Sequence, residues 1–122
     1  MAGSVTPIVG VDLGGSISVA TMLSPMDGSA VETFSFSMDD EGYVLFSRRV
    51  PRNARIAFEA TSMAYPFSRR LRELGYQDIT AAHATELAWI VRSKKKNDRA
   101  DSLKIARLHM AGIIPKKLLR WS

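Results

Sequence analysis

Hydrophobic residues in the first third of the chain alternate with polar or small ones, a period of two that predicts β-strands. Residues 7–13 form an apolar run typical of a buried strand, and Gly14-Gly15 after it is expected to turn through positive φ angles. Alternation over residues 17–23 and 31–38, separated by a turn at 24–28, predicts two more strands. These three strands are expected to form an antiparallel meander.

From residue 39 the apolar spacing changes, and the pattern predicts helices alternating with short strands. The predicted order is helix 39–50, strand 55–59, helix 65–74, strand 76–80, helix 83–92 and helix 98–111. Asp39 or Asp40 is expected to cap the first helix, which would bury residues 43–46, and Gly75 to end the second.

Three consecutive strands followed by helix-linked strands predict an α/β domain: a mixed sheet of about five strands with helices on both faces. This order is similar to that of the RNase H-like (RuvC-like) fold. A likeness of fold does not imply a function, so the function has to be argued from the site residues. With 122 residues and 46% hydrophobic content, the chain is expected to form one domain, residues 1–122.

The absence of cysteine and the scarcity of histidine limit the metal sites and nucleophiles that this chain can form. Because the chain has no cysteine, disulfides, thiolate metal sites and cysteine nucleophiles are excluded. His83 and His109 are single and widely spaced, so core or surface roles are expected for them rather than metal ligation. No apolar run approaches the roughly 20 residues that span a bilayer. We therefore expect an intracellular, cytoplasmic and nucleoid-associated protein with no membrane partner.

Positive charge is concentrated in the last quarter of the chain. Residues 1–91 carry 7 Lys and Arg against 10 Asp and Glu, a net −3, whereas residues 92–122 carry 10 against 2, a net +8. Such asymmetry favours a polyanion or an acidic membrane surface as partner, although a solvated basic tail without any partner would look the same.

Two acidic residues end predicted strands. Asp12 closes an apolar run, where an ionised carboxylate is costly unless it is paired, solvated or bound to a cation. A hydrogen bond to nearby backbone or to an arginine is the alternative explanation. Glu59 ends the apolar run at 56–58, and taken alone it is equally typical of a surface or capping acid.

Asp98 and Asp101 stand three residues apart at a predicted helix start, so their Cβ atoms are expected about 5–6 Å apart on one face. A variant of the capping box explains this spacing without any catalysis. Together with Asp12 and Glu59, however, they complete a set of four carboxylates, which is the ligand type that two magnesium ions require in phosphoryl transfer. Oxygen ligands without cysteine favour Mg²⁺, with Mn²⁺ as a substitute, over zinc.

These residues resemble motifs of the DEDD-type insertion-sequence transposases, the family that includes the Piv-type DNA invertases. The resemblance covers about residues 7–115 and rests on three segments: Val9-Gly10-Val11-Asp12-Leu13, Phe58-Glu59-Ala60-Thr61 with Tyr65 following, and Lys94-Lys95-Lys96-Asn97-Asp98-Arg99-Ala100-Asp101-Ser102. Ser102 stands where the family often has alanine, which is a small departure.

The resemblance implies a DNA transposase or recombinase whose four metal-binding and catalytic positions are Asp12, Glu59, Asp98 and Asp101. Asp12 is the best candidate to bridge two ions, and the DNA-binding residues would be Arg92, Lys94, Lys95, Lys96 and Arg99. It also implies an RNA encoded by the mobile element and a serine-bearing C-terminal domain that is missing here, so complete transposition is not expected from this chain. A homo-oligomer stays open.

Two other functions stay open. The segment Gly10-Val11-Asp12-Leu13-Gly14-Gly15-Ser16 also resembles the first phosphate loop of the sugar-kinase, actin and heat-shock ATPase superfamily, of which this chain would be a fragment. A non-catalytic nucleic-acid-binding module, with structural acids and an active basic tail, is the alternative of a different class. Convergence of the four acids in space would discriminate between these functions.

Overall fold

A computed structural model describes residues 6–59, 61–82, 98–112 and 116–117, with backbone alone at 98–101 and 116–117. Within these residues the secondary-structure elements, in chain order, are β1 (Ile8–Asp12), β2 (Ile17–Leu23), β3 (Ala30–Ser37), α1 (Asp40–Arg49), β4 (Arg55–Glu59), α2 (Ala64–Glu73), β5 (Asp78–Ala82), α3 (Asp98–Ala111) and β6 (Lys116–Lys117). The predicted helix at 83–92 lies outside the described residues. None of the helices that are described is both long and apolar enough to cross a membrane.

The strands form one mixed sheet in the order β3-β2-β1-β4-β5-β6. The first three strands pair antiparallel, as the meander predicted, and β1, β4 and β5 pair parallel. The two-residue strand β6 adds an antiparallel edge to β5, which the sequence pattern did not predict. The prediction of an α/β chain with a mixed sheet is therefore confirmed, with one short strand more than expected.

One face of the sheet carries an aromatic core under α1 and α2. Side chains alternate between the two faces of a strand, so every second residue of β1, β3 and β4 points toward these helices. Phe36 and Phe46 pack with tilted rings whose centroids lie 5.1 Å apart, and Phe67 meets Phe58 edge to face at the same distance. The buried members of this core are Val9, Val11, Ala20, Met22, Phe34, Phe36, Tyr43, Phe46, Val50, Ala54, Ile56, Phe58, Ala64, Phe67, Leu71, Tyr76 and Ala81.

The opposite face is covered by α3 and is built from small and aliphatic residues. Ile105 packs on Ala57 and Ala82, and Ala106 packs on Ile8 and Leu23. With α1 and α2 on one face and α3 on the other, helices lie on both faces as predicted.

Local hydrogen bonds set the helix ends. The Asp39 carboxylate accepts from the Gly42 N–H and so caps α1. At the end of α2, Gly75 adopts a φ of 102°, and the N–H groups of Gly75 and Tyr76 donate to Arg72 and Leu71. This Schellman closure explains why the next strand begins at Asp78 and not at residue 76 as predicted.

Two further predictions from the sequence were wrong in detail. Val44 was expected in the core, but it is 46% exposed, because the helical period places Tyr43 and Phe46 on the buried face of α1 and turns Val44 outward. Gly14 and Gly15 do not have positive φ angles. Gly14 is required instead by a close approach, since a Cβ there would lie 2.0 Å from the Ile17 carbonyl oxygen.

Candidate active site at the carboxyl ends of β1 and β4

Asp12 is the last residue of β1 and lies on the face that α3 covers. Val9 and Val11 of the same strand lie in the aromatic core, so Gly10 and Asp12 point to the opposite side. Asp12 pairs with Val19 on β2 and is half-buried. Its carboxylate therefore stands at the rim of the sheet, at the end of a buried strand.

Glu59 stands beside Asp12. Val11 and Phe58 are register partners in the parallel pair β1 and β4, and each acid directly follows one of them. Since neighbouring strands lie about 5 Å apart, the two Cα atoms are adjacent at the carboxyl ends of β1 and β4. Glu59 is half-buried like Asp12, and both acids fall on the α3 face, because Phe58 lies in the aromatic core. The strand register thus places the backbones of two of the four predicted acids side by side.

The contacts of α3 define its direction across the sheet. Ser102 is hydrogen-bonded to Thr21 in the middle of β2. Eight residues later, Met110 lies against Gly28 in the turn between β2 and β3. That turn is at the start of β1, because β1 and β2 are antiparallel. The helix therefore begins toward the Asp12 edge and runs away from it.

The first turn of α3 reaches the level of Asp12. A Cβ at Gly10 would lie 2.3 Å from both the Ser102 carbonyl oxygen and the Ala106 nitrogen, so the helix crosses β1 there. Asp12 is two residues farther along β1, about 6.6 Å at the usual rise of a strand. Residues 98–101 lie about 4.5–9 Å from the crossing along the helix axis, toward the same edge.

Asp98 and Asp101 belong to this first turn, and their side chains lie outside the described part of the chain, as does that of Arg99. The predicted DNA-binding residues Arg92, Lys94, Lys95 and Lys96 and the histidine His83 also lie outside it. The side chains that are described contain no group of three or more His, Cys, Asp or Glu able to hold a metal ion. Of the four predicted ligands, only Asp12 and Glu59 have side chains that the structure describes.

The Asp12–Glu59 pair fits a hard divalent cation. Both residues offer carboxylate oxygens, the ligands that Mg²⁺ prefers, and they come from two rigid neighbouring strands. His109 is buried in α3, which is one of the two roles, core or surface, expected for it.

Sequence reasoning missed the residues that seat α3 on the sheet. Gly10 permits contact between the backbones of β1 and α3, and Ser102 and Thr21 form a buried hydrogen bond of 2.7 Å. A glycine within an apolar strand signals a close approach of another backbone, which the sequence could have indicated. The pairing of Ser102 with a residue 81 positions away left no sequence signal.

The Gly14-Gly15 hairpin has a structural explanation of its own. The Gly14 N–H donates to Ser18 Oγ at 3.0 Å, and Ser18 Oγ in turn contacts Met38 Sδ at 3.0 Å. A phosphate loop needs its backbone N–H groups directed at the ligand, so this internal bond disfavours the ATPase alternative.

No protein-family model matches this chain, and no curated protein is significantly similar to it in sequence. The resemblance to DEDD-type transposases therefore rests on the motif residues themselves.

Proposed function

We propose that this chain is the catalytic domain of a DNA transposase or recombinase with an RNase H-like (RuvC-like) fold. Four carboxylates, Asp12, Glu59, Asp98 and Asp101, would hold magnesium for phosphoryl transfer on DNA. The observation that carries the proposal is the register of β1 and β4, which sets Asp12 and Glu59 side by side at the edge where α3 begins.

The topology supports the fold assignment. An RNase H-like sheet is expected to have three antiparallel strands extended by parallel strands that helices connect, and the order β3-β2-β1-β4-β5 with helices on both faces agrees with it. The positions of the acids support the chemistry independently, because they come from two strands and one helix that are distant in sequence.

The residues of the chain would divide the work between holding the cation and holding the substrate. Asp12 and Glu59 would offer oxygens from neighbouring strands, and Asp98 and Asp101 would add theirs from the first turn of α3. A bound magnesium ion would supply Lewis acidity to a phosphate oxygen and lower the pKa of an attacking water. The basic residues Arg92, Lys94, Lys95, Lys96 and Arg99 would hold the DNA backbone beside this edge.

The test is metal binding and DNA nicking by single variants. Asp12→Asn, Glu59→Gln, Asp98→Asn and Asp101→Asn should each weaken Mn²⁺ binding and lower Mg²⁺-dependent nicking of supercoiled DNA by about 100-fold or more, since ligand loss removes several kcal/mol of transition-state stabilisation. The matched control is Asp78→Asn. Asp78 is an exposed acid at the start of β5 that lies 3.6 Å from Arg55, at the opposite ends of the strands from Asp12 and Glu59. This variant should behave like the unaltered chain.

Two results would overturn the proposal. Equal Mn²⁺ affinity in Asp12→Asn, Glu59→Gln and Asp78→Asn would mean that these acids do not form a metal site. DNA binding without metal-dependent nicking, unchanged in all four variants, would indicate the non-catalytic nucleic-acid-binding module instead.

A further inference from the structure

Three hydroxyl groups form a chain between the sheet and α3. Thr21 Oγ1 lies 2.7 Å from Ser102 Oγ and 3.1 Å from Thr33 Oγ1. Thr21 and Ser102 are fully buried, and 81 residues separate them in the sequence. A buried hydroxyl that loses its partner bears the desolvation cost of an unsatisfied polar group, so this bond strongly favours one relative position of the helix and the sheet.

The apolar contacts of α3 do not select a position in this way. They join the small residues Ala57, Ala82 and Ala106 to aliphatic side chains, Ile8, Leu23 and Ile105, and none of these contacts is directional. Hydrophobic attraction is non-directional, so a helix on such a surface could slide or rotate at small cost. A shift of one residue along the helix axis moves every side chain by about 1.5 Å and would break a 2.7 Å hydrogen bond.

Gly10 and the hydroxyl pair fix different coordinates of α3. The contact at Gly10 sets how closely the helix approaches β1, because the two backbones meet there. The Thr21–Ser102 bond sets how far the helix is shifted along its axis and how it is rotated about that axis, at the distance from β1 that Gly10 allows. Ser102 directly follows Asp101, so the bond acts within one residue of a proposed metal ligand.

We propose that Thr21 and Ser102 are positioning residues for the metal site: their buried hydrogen bond sets the register of α3 so that its first turn meets Asp12 and Glu59. The inference rests on the proposed function and deepens it. Neither residue touches the metal, and each acts through the position of the helix that carries Asp98 and Asp101.

The test compares Mn²⁺ affinity with stability to urea. In the double variant Thr21→Val with Ser102→Ala, both hydroxyls of the buried pair are removed together, and the Thr33 hydroxyl that also loses Thr21 is only partly buried and can bind water. The urea midpoint should therefore change little. Its Mn²⁺ affinity should fall about 10-fold, the lower end of the effect of groups that orient metal ligands. Thr21→Ser keeps the hydroxyl and loses a methyl group, so it should lower the urea midpoint and retain the Mn²⁺ affinity.

Ser68→Ala is the matched control. Ser68 is also fully buried, but it lies on α2 under the aromatic face, far from α3 in the fold. Its variant should leave Mn²⁺ affinity unchanged.

The outcomes separate the two proposals. If Asp12→Asn abolishes Mn²⁺ binding while the double variant binds as tightly as the unaltered chain, the positioning inference is wrong and the proposed function stands. If affinity and urea midpoint fall together in both Thr21→Ser and the double variant, the pair is only structural. If the unaltered chain binds no Mn²⁺, both proposals fail.

Discussion

The two faces of the sheet are built from different materials. The α1–α2 face is filled with aromatic rings that contact one another. For example, the ring centroids of Phe36, Tyr43, Phe46 and Phe58 all lie within 6.2 Å of that of Phe67. The α3 face has no Phe, Tyr or Trp among its buried described positions, and a helix backbone rests directly on β1 at Gly10. Large rings bury much apolar area, whereas small residues permit close approach. The aromatic face is therefore suited to stability and the small-residue face to placement.

This difference explains where the candidate site lies. Asp12 and Glu59 point to the small-residue face, at the end where α3 begins. A metal site needs ligands held within a fraction of an ångström, and backbone contact with a buried hydrogen bond provides that control better than ring packing. Stability and function can consequently be perturbed separately.

The largest effect is expected from truncation on the aromatic face. Phe67→Ala removes the ring at the centre of the cluster, and the free energy of unfolding should fall by about 3–5 kcal/mol. Urea unfolding followed by circular dichroism measures it. Phe67→Leu should cost clearly less, and below the unfolding transition it should bind Mn²⁺ like the unaltered chain. A Phe67→Leu protein that is stable but defective in Mn²⁺ binding would break the separation of the two faces.

A smaller and more local effect is expected at Gly10. In Gly10→Ala, the new Cβ would lie 2.3 Å from two backbone atoms of α3, so the helix must move away at a cost of about 1–3 kcal/mol. Amide hydrogen exchange should become faster in residues 102–111 and stay slow in α1 and α2. Mn²⁺ affinity should fall as well.

Gly15→Ala is the control for this substitution. It lies in the adjoining hairpin, where an added Cβ meets nothing within 4 Å, and its φ is not positive. Slow exchange throughout α3 in Gly10→Ala would contradict the tight seating of the helix.

The basic segment at residues 92–99, around the start of α3, is proposed to bind DNA on the α3 side of the sheet. If Arg92, Lys94, Lys95, Lys96 and Arg99 contact phosphates, log affinity should fall against log salt with a slope of about −4 to −5. Replacing Lys94, Lys95 and Lys96 with alanine should flatten the slope by about 2–3 and weaken all duplexes nearly equally, because phosphate contacts carry no base information.

The control for the lysine variant comes from the other face. Arg48, Arg69 and Arg72 are exposed cations on α1 and α2, and their triple alanine variant should keep the parent slope. An unchanged slope in the lysine variant, or a flat salt dependence in the parent, would mean that the basic segment is only a solvated surface.

The smallest effect concerns the cap of α1. Hydrogen bonds from Ser37 Oγ and the Gly42 N–H hold the pKa of Asp39 below its ordinary value of 3.8. Because the pKa is lower in the folded state, the contribution to stability is present above about pH 3.8 and is lost as pH falls through the folded value. Asn also caps helices but does not ionise. The unaltered chain should exceed Asp39→Asn in urea midpoint at pH 5, and the gap should shrink by pH 3. A gap that is constant with pH would refute this role.

Much of the fold could be predicted from the sequence because its signals are local. The bounds of β4 at residues 55–59 and of α3 at 98–111 agree with the apolar spacing. The acid at the end of each predicted strand also indicated Asp12 and Glu59, and the parallel register places them side by side. The strand and helix bounds, and the acids that end the strands, depend on residues within a few positions of one another.

The rest depends on pairings between distant segments. Lys116 and Lys117 form β6 only because β5 offers them an edge, and two residues are too short for a periodic signal. From the sequence Ser102 is only a small departure from a family motif, because nothing near it in sequence reveals that Thr21 lies 2.7 Å away. Strand β5 began later than predicted, since Tyr76 is used to close α2.

The most direct measurement for the proposed metal site is a crystal structure of the chain soaked with Mn²⁺. Anomalous scattering would locate the bound ions. The account predicts two ions about 3.5–4 Å apart at the carboxyl ends of β1 and β4, with Asp12 between them and with oxygens from Glu59, Asp98 and Asp101 as ligands. Mn²⁺ bound elsewhere, or a well-ordered α3 with Asp101 more than about 10 Å from Asp12, too far for both acids to share a metal pair, would contradict it.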